Sequence, residues 1–217
     1  MTETSTPQRC RLVLIAPPDA DPARVGAALS AGDVASLLIP DYGIDEAIFE
    51  GVAERLCRLA QEHGVAAIVA GSPRVATRIH ADGIHFEGPK DELAELVAKY
   101  QERMAVGAGG AKKRDEALEL GETQPDYMFF GRFGYDNKEE PHPRNLSLGA
   151  WWSEMIEIPA VVLAGSTIAS IRAVAETGAE FVAVGNAVFE IGVDPAERLA
   201  EANELLDRHA PQWEQIG

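Results

Sequence analysis

Ala160-Val-Val-Leu-Ala-Gly-Ser-Thr167, the segment Ile168–Gly178, and Phe181-Val-Ala-Val-Gly-Asn-Ala-Val-Phe189 together decide the fold. The apolar run Ala160–Ala164 stops at Gly165-Ser166-Thr167. Ile168, Ile171, Val174 and Ala175 then recur at helical spacing until Gly178. A second apolar run, Phe181–Val184, stops at Gly185-Asn186. Short continuous apolar runs joined by one amphipathic helix predict two parallel strands, each buried on both faces, with a crossover between them. Both runs end in small residues, which let backbone N–H groups approach a ligand. Ser166 is read as the N-cap of the crossover helix, and a capped helix start is a seat for a phosphate.

The same cycle recurs toward the N-terminus. Strands are expected at Leu12–Ala16, Ser36–Ile39, Ala66–Val69, Gly83–Phe86, Met104–Val106 and Tyr127–Phe130. Between them, a helix opened by Asp21-Pro22 and ended by Gly32, then Asp45–His63, Pro73–Ile79, Asp91–Tyr100, Lys112–Leu120 and Ala150–Glu157 read as helices, and Pro195–His209 reads as the last. Eight strand–helix cycles with no linker or composition shift predict an α/β protein with a single (β/α)8 TIM barrel. The barrel is assigned to residues 11–217 and a flexible tail to residues 1–10, where Met1–Gln8 is polar. On this count Ala160–Ala164 and Phe181–Val184 are the seventh and eighth strands, whose following loops are the usual phosphate site of a barrel. Gly165, Ser166, Thr167, Gly185 and Asn186 are therefore the phosphate-binding candidates. The bland alternative is that they only make strand-to-helix turns.

The other loops at that end supply the remaining candidates. Asp41 and Tyr42 follow the second strand, and Arg132, Tyr135, Asp136, Asn137 and Lys138 follow the sixth. The segment Arg132–Leu148 is long enough to be a lid, with Arg132 and Lys138 reaching over a phosphate and Tyr135 stacking on a ring. It reads equally as a surface connection. His85, Glu87 and Lys138 are the acid–base candidates for catalysis, although a histidine on a strand is more often packed than reactive. Asp91, with Glu87, is the metal candidate, and its competing role is helix N-cap. Trp151 and Trp152 read as seating a short helix on the barrel.

The formal net charge of −16 argues against nonspecific nucleic-acid or anionic-membrane partners, which need a positive face. A small phosphorylated molecule remains open as a partner, because a few amides and one or two cations suffice to hold it. Cys10 and Cys57 are the only cysteines, too few for a disulfide framework, so a reducing, cytoplasmic setting is expected. Residue pattern alone does not separate a dimer face from core, so a homodimer also stays open.

Several segments resemble the thiamine-phosphate synthase / TenI family. They are Asp82-Gly-Ile-His85, Asp126-Tyr-Met-Phe-Phe-Gly131, Pro159-Ala-Val-Val-Leu-Ala-Gly165 and Gly178–Phe189. The likeness runs from about Arg11 to His209. It implies a (β/α)8 barrel and one of two activities. In one, a pyrimidine diphosphate alkylates a thiazole phosphate with magnesium and releases pyrophosphate. In the other, the thiazole is tautomerised. The family's reactive motifs depart here. Its basic segment after the second strand falls at Leu37–Tyr42, which has no cation, and its Asn-Asp after the third falls at Ala70-Gly71. Its Gly-x-Ser-x-His becomes Gly107-Ala-Gly-Gly-Ala111, and of its Thr-x-Thr-Lys only Lys138 has a counterpart. Three functions follow as expectations: a synthase, a non-catalytic or regulatory binder of a phosphate ester, or a different barrel isomerase or lyase.

Overall fold

The structure, a computed structural model, describes residues 9–212. Eight parallel strands close in sequence order into a barrel. They are β1 (Arg11–Ile15), β2 (Val34–Pro40), β3 (Ala66–Ala70), β4 (Gly83–Phe86), β5 (Ala105–Ala108), β6 (Tyr127–Phe130), β7 (Ala160–Leu163) and β8 (Phe181–Val184). The ring shuts where β1 pairs with β8, Leu12 opposite Val182 and Leu14 opposite Val184. Around it lie α1 (Pro22–Leu29), α2 (Glu46–Glu62), α3 (Pro73–Arg78), α4 (Lys90–Tyr100), α5 (Arg114–Gly121), α6 (Pro143–Met155), α7 (Ser170–Ala175), α8 (Asn186–Phe189) and α9 (Pro195–His209).

Strand alternation divides the core in two. Leu12, Leu14, Val162, Val182 and Val184 face the helices in the larger apolar cluster. Val13, Ile15, Leu38, Ile68, Phe129, Val161 and Leu163 fill the barrel interior, so it is packed rather than open. Each fully buried aliphatic side chain contributes roughly 1.5–3 kcal/mol. Buried two-sided strands explain why the sequence runs are continuously apolar.

Three acids within the resemblance motifs sit at the other end of the barrel from the loops of interest. Asp82 accepts from the Ala67 amide at 2.8 Å, Asp126 from the Val106 amide at 2.6 Å, and Glu180 from the Ala160 amide at 2.7 Å. Each precedes β4, β6 or β8 and clamps the first turns of the strand before it. Their work is structural, satisfying strand amides at the barrel floor.

Several boundaries differ from expectation. The tail expected over residues 1–10 lies, as far as Gln8, outside the described residues. Arg9 and Cys10 are instead buried, with the Arg9 guanidinium 2.7 Å from Asp207 and 3.1 Å from Asn203 on α9. Burial pushes both the Cys10 and Cys57 thiols up to about 11, which keeps them protonated and unreactive near neutral pH. The segment read as a loop through Leu148 becomes helical at Pro143, because His142 caps α6 by accepting from the Arg144 amide at 3.1 Å. No helix among the described residues is long and apolar enough to cross a membrane.

Candidate functional site

At the C-terminal ends of the strands, the mouth of the barrel is built from two unlike halves. Over β4–β6, His85 points inward with its side chain 1% exposed. Tyr127 enters from β6, opposite Gly107 in the register, and its hydroxyl lies 3.0 Å from His85 Nδ1. Desolvation, with Asp126 nearby adding to it, raises the Tyr127 pKa well above the usual phenol value, so the hydroxyl is available to donate to Nδ1. Nε2 has no hydrogen-bond partner, and Glu87 Oε1 stands 3.7 Å away. Phe129 and Phe133 each meet the imidazole edge-on at 5.4 and 5.3 Å and stack on each other at 5.1 Å. Phe133, from the loop after β6, thus closes the barrel over His85. Beside this cluster opens a cavity of about 580 Å3 lined by Glu87, Lys90, Lys112, Arg132 and Arg144.

Glycine makes this packing possible. A β-carbon on Gly107 would overlap the Tyr127 ring, and one on Gly109 would lie 2.9 Å from His85 Nε2. Gly107 was expected beyond the strand but belongs to β5, where its missing side chain is the space the phenol uses. Gly107→Ala is expected to expel the Tyr127 ring and cost about 1–3 kcal/mol or more, as overpacked cores do. Urea unfolding would show this as a lower midpoint; an unchanged midpoint would mean the ring has room to spare.

Over β7, β8 and β1 the mouth is closed by the segment 132–142. Asp136 is buried, and its carboxylate accepts from the Asn186 amide at 2.6 Å and the Asn186 side-chain amide at 3.3 Å. The Ser166 amide donates to the Lys138 carbonyl at 2.7 Å, the Thr167 hydroxyl to the Glu139 carbonyl at 3.1 Å, and the Gly165 amide to Ser170 Oγ at 2.9 Å. The amides of Gly165, Ser166 and Asn186 therefore each have an acceptor within the chain. Ser166 is not the N-cap it was expected to be, since α7 starts later, at Ser170. Next to the Ser166 and Asn186 loops lies a groove of about 710 Å3, also lined by Arg24 and Asn137.

The remaining expected residues are dispersed. Tyr42 folds back to donate to the Ala16 carbonyl at 2.8 Å, and burial, with Asp136 adding to it, raises its pKa. Asp41 closes its own turn by accepting from the Gly43 amide at 2.9 Å. The Arg132 guanidinium stacks on Tyr135 at 3.9 Å, so the ring expected to meet a ligand meets a neighbour. Lys138 is exposed and lines an adjoining cavity that shares Arg132 and Arg144 with the first; of the three acid–base candidates only His85 and Glu87 are shown in contact range. Asp91 is exposed in the first turn of α4 and does not cap it, because Pro89 holds that position. Among the described residues no three His, Cys, Asp or Glu side chains gather as a metal cage. Sequence reading missed Phe133, Tyr127, Arg24 and Arg144. Only Arg144 left a local sign, the His142-Pro143 helix start.

A family model described as thiamine monophosphate synthase matches residues 12–188. The chain belongs to the thiamine-phosphate synthase family. It is 35% identical to the thiamine-phosphate synthase of Rhodospirillum centenum, over 91% of this chain and 98% of that protein. Its identity to the thiamine-phosphate synthase of Hyphomonas neptunium is 31%, covering 95% and 99% of the two. In fold it is similar to a thiamine phosphate pyrophosphorylase from Pyrococcus furiosus, with a TM-score of 0.78, 20% identity, and coverage of 94% and 98%. Likeness to the synthases thus spans nearly the whole barrel.

Proposed function

We propose that this member of the thiamine-phosphate synthase family binds a small phosphate ester at the loops after β7 and β8 and does not carry out alkyl transfer. One observation carries the reading. The Asn186 amide already holds an anionic oxygen, the Asp136 carboxylate, at 2.6 Å, so the donors there are arranged for negative charge. Arg24 lines the adjoining groove and can meet the ester's remaining charge. The opposite wall offers no cation on β2 and no carboxylate after β3, the groups a diphosphate leaving group and its magnesium need. On this reading, binding of the ester is independent of magnesium.

Titration calorimetry and thermal unfolding with thiazole phosphate, glycerol phosphate and inorganic phosphate test it. At a hundredfold excess over Kd the ligand adds about 2.7 kcal/mol, a rise in Tm of roughly 5–10 °C for a chain of this size, unchanged by a chelator. No heat and no shift with any of the three at millimolar concentration would end the phosphate reading.

A second reading, isomerase or lyase chemistry on the bound ester, is favoured by the unpartnered His85 Nε2 near Glu87 beside a cation-lined cavity.

A further inference from the structure

The phosphate seat has an occupant of its own. We propose that the segment 132–142 is a self-inhibitory strap, in which the Asp136 carboxylate holds the place of an incoming anion and must leave before a phosphate ester enters. The proposal rests on the phosphate-ester reading and adds a competitor to it.

Four observations support it. First, the carboxylate and a phosphate would need the same donor, and Asp136 takes the Asn186 amide at 2.6 Å and the Asn186 Nδ2 at 3.3 Å. Second, the two glycines of the seat are shaped for the strap. A β-carbon on Gly185 would lie 2.8 Å from Asp136 Oδ2, and one on Gly165 would overlap the Glu139 carbonyl and sit 2.7 Å from that of Lys138. Third, Asp136 is 7% exposed, yet among the described residues it forms no ion pair. Its neighbours include the Tyr42 phenol, whose ionisation it opposes. A carboxylate buried against neutral donors is costly to keep there. Fourth, most of the strap faces solvent: Gly134, Tyr135 and Asn137–Glu140 are exposed, and it is held at Phe133, Asp136 and Pro141 and through the Lys138 and Glu139 carbonyls. Segments with few buried contacts open at low free-energy cost. A phosphate brings more negative oxygens to the same amides, so exchange of one anion for the other repays the opening.

Asp136→Asn tests the strap, because it removes the charge while its Oδ1 can still accept from the Asn186 amide. Inorganic phosphate is titrated into both proteins by calorimetry. The variant is expected to bind at least tenfold more tightly than the wild type. In the wild type, phosphate is also expected to speed hydrogen exchange in the peptide covering Arg132–His142. Equal affinity of the two proteins overturns the strap and leaves the phosphate reading standing. No binding by either protein overturns both. Should the variant not fold, the wild-type exchange decides alone: binding of phosphate without faster exchange in that peptide overturns the strap.

Discussion

Given thiazole phosphate, pyrimidine diphosphate and magnesium, the protein is expected to release pyrophosphate at least ~10^4-fold more slowly than an active synthase of the family assayed alongside. Removing one electrostatic stabiliser of a developing charge costs a factor of roughly 10²–10³. The resemblance implies two such groups without a counterpart here: a cation, at Leu37–Tyr42, and a carboxylate, at Ala70-Gly71. Two losses at the lower end of that range multiply to the ~10^4 expected for groups that act independently. A β-carbon on Gly71 would lie 3.1 Å from Asp41 Oδ2, and Phe133 stacks on Phe129 across the mouth. Pyrophosphate release within tenfold of the reference enzyme would refute this expectation.

Trp152→Ala is the substitution expected to damage the fold most, by about 3–5 kcal/mol. The indole is fully buried and meets Phe130 edge-on at 5.7 Å and Trp151 at 5.9 Å. Its Nε1 donates to the Ile158 carbonyl at 2.6 Å, tying the end of α6 to the approach to β7. Gly121, at the end of α5, lies under the ring, where a β-carbon would come within 2.7 Å of it. Truncation opens a cavity between two helices and the barrel and leaves that carbonyl without its donor. At 2–4 °C per kcal/mol for a chain of this length, Tm should fall by roughly 6–20 °C. A fall of only a degree or two would show that the site collapses and refills.

Of the site, the sequence carried the addresses but not the occupancy. The small residues after the seventh and eighth strands were legible because glycine and serine at the end of an apolar run mark a close backbone turn. His85 and Glu87 were legible as polar residues on and just past a strand of known direction. Nothing local marked Phe133 as a cap over His85, since a phenylalanine in a polar loop has no period to betray which way it turns.

What the sequence by itself determined is the barrel. Apolar runs, helical spacing and glycine or proline stops are short-range signals, and eight of them in alternation favour a closed parallel barrel over an open, doubly wound sheet. What only the tertiary structure decided is who holds the amides at its mouth. The Asp136–Asn186 contact joins residues 50 apart in the chain, and a hydrogen bond across that distance exists only once β6 and β8 have been set on either side of β7. Pattern can say that a donor will be presented there; the folded chain alone brings the acceptor to it.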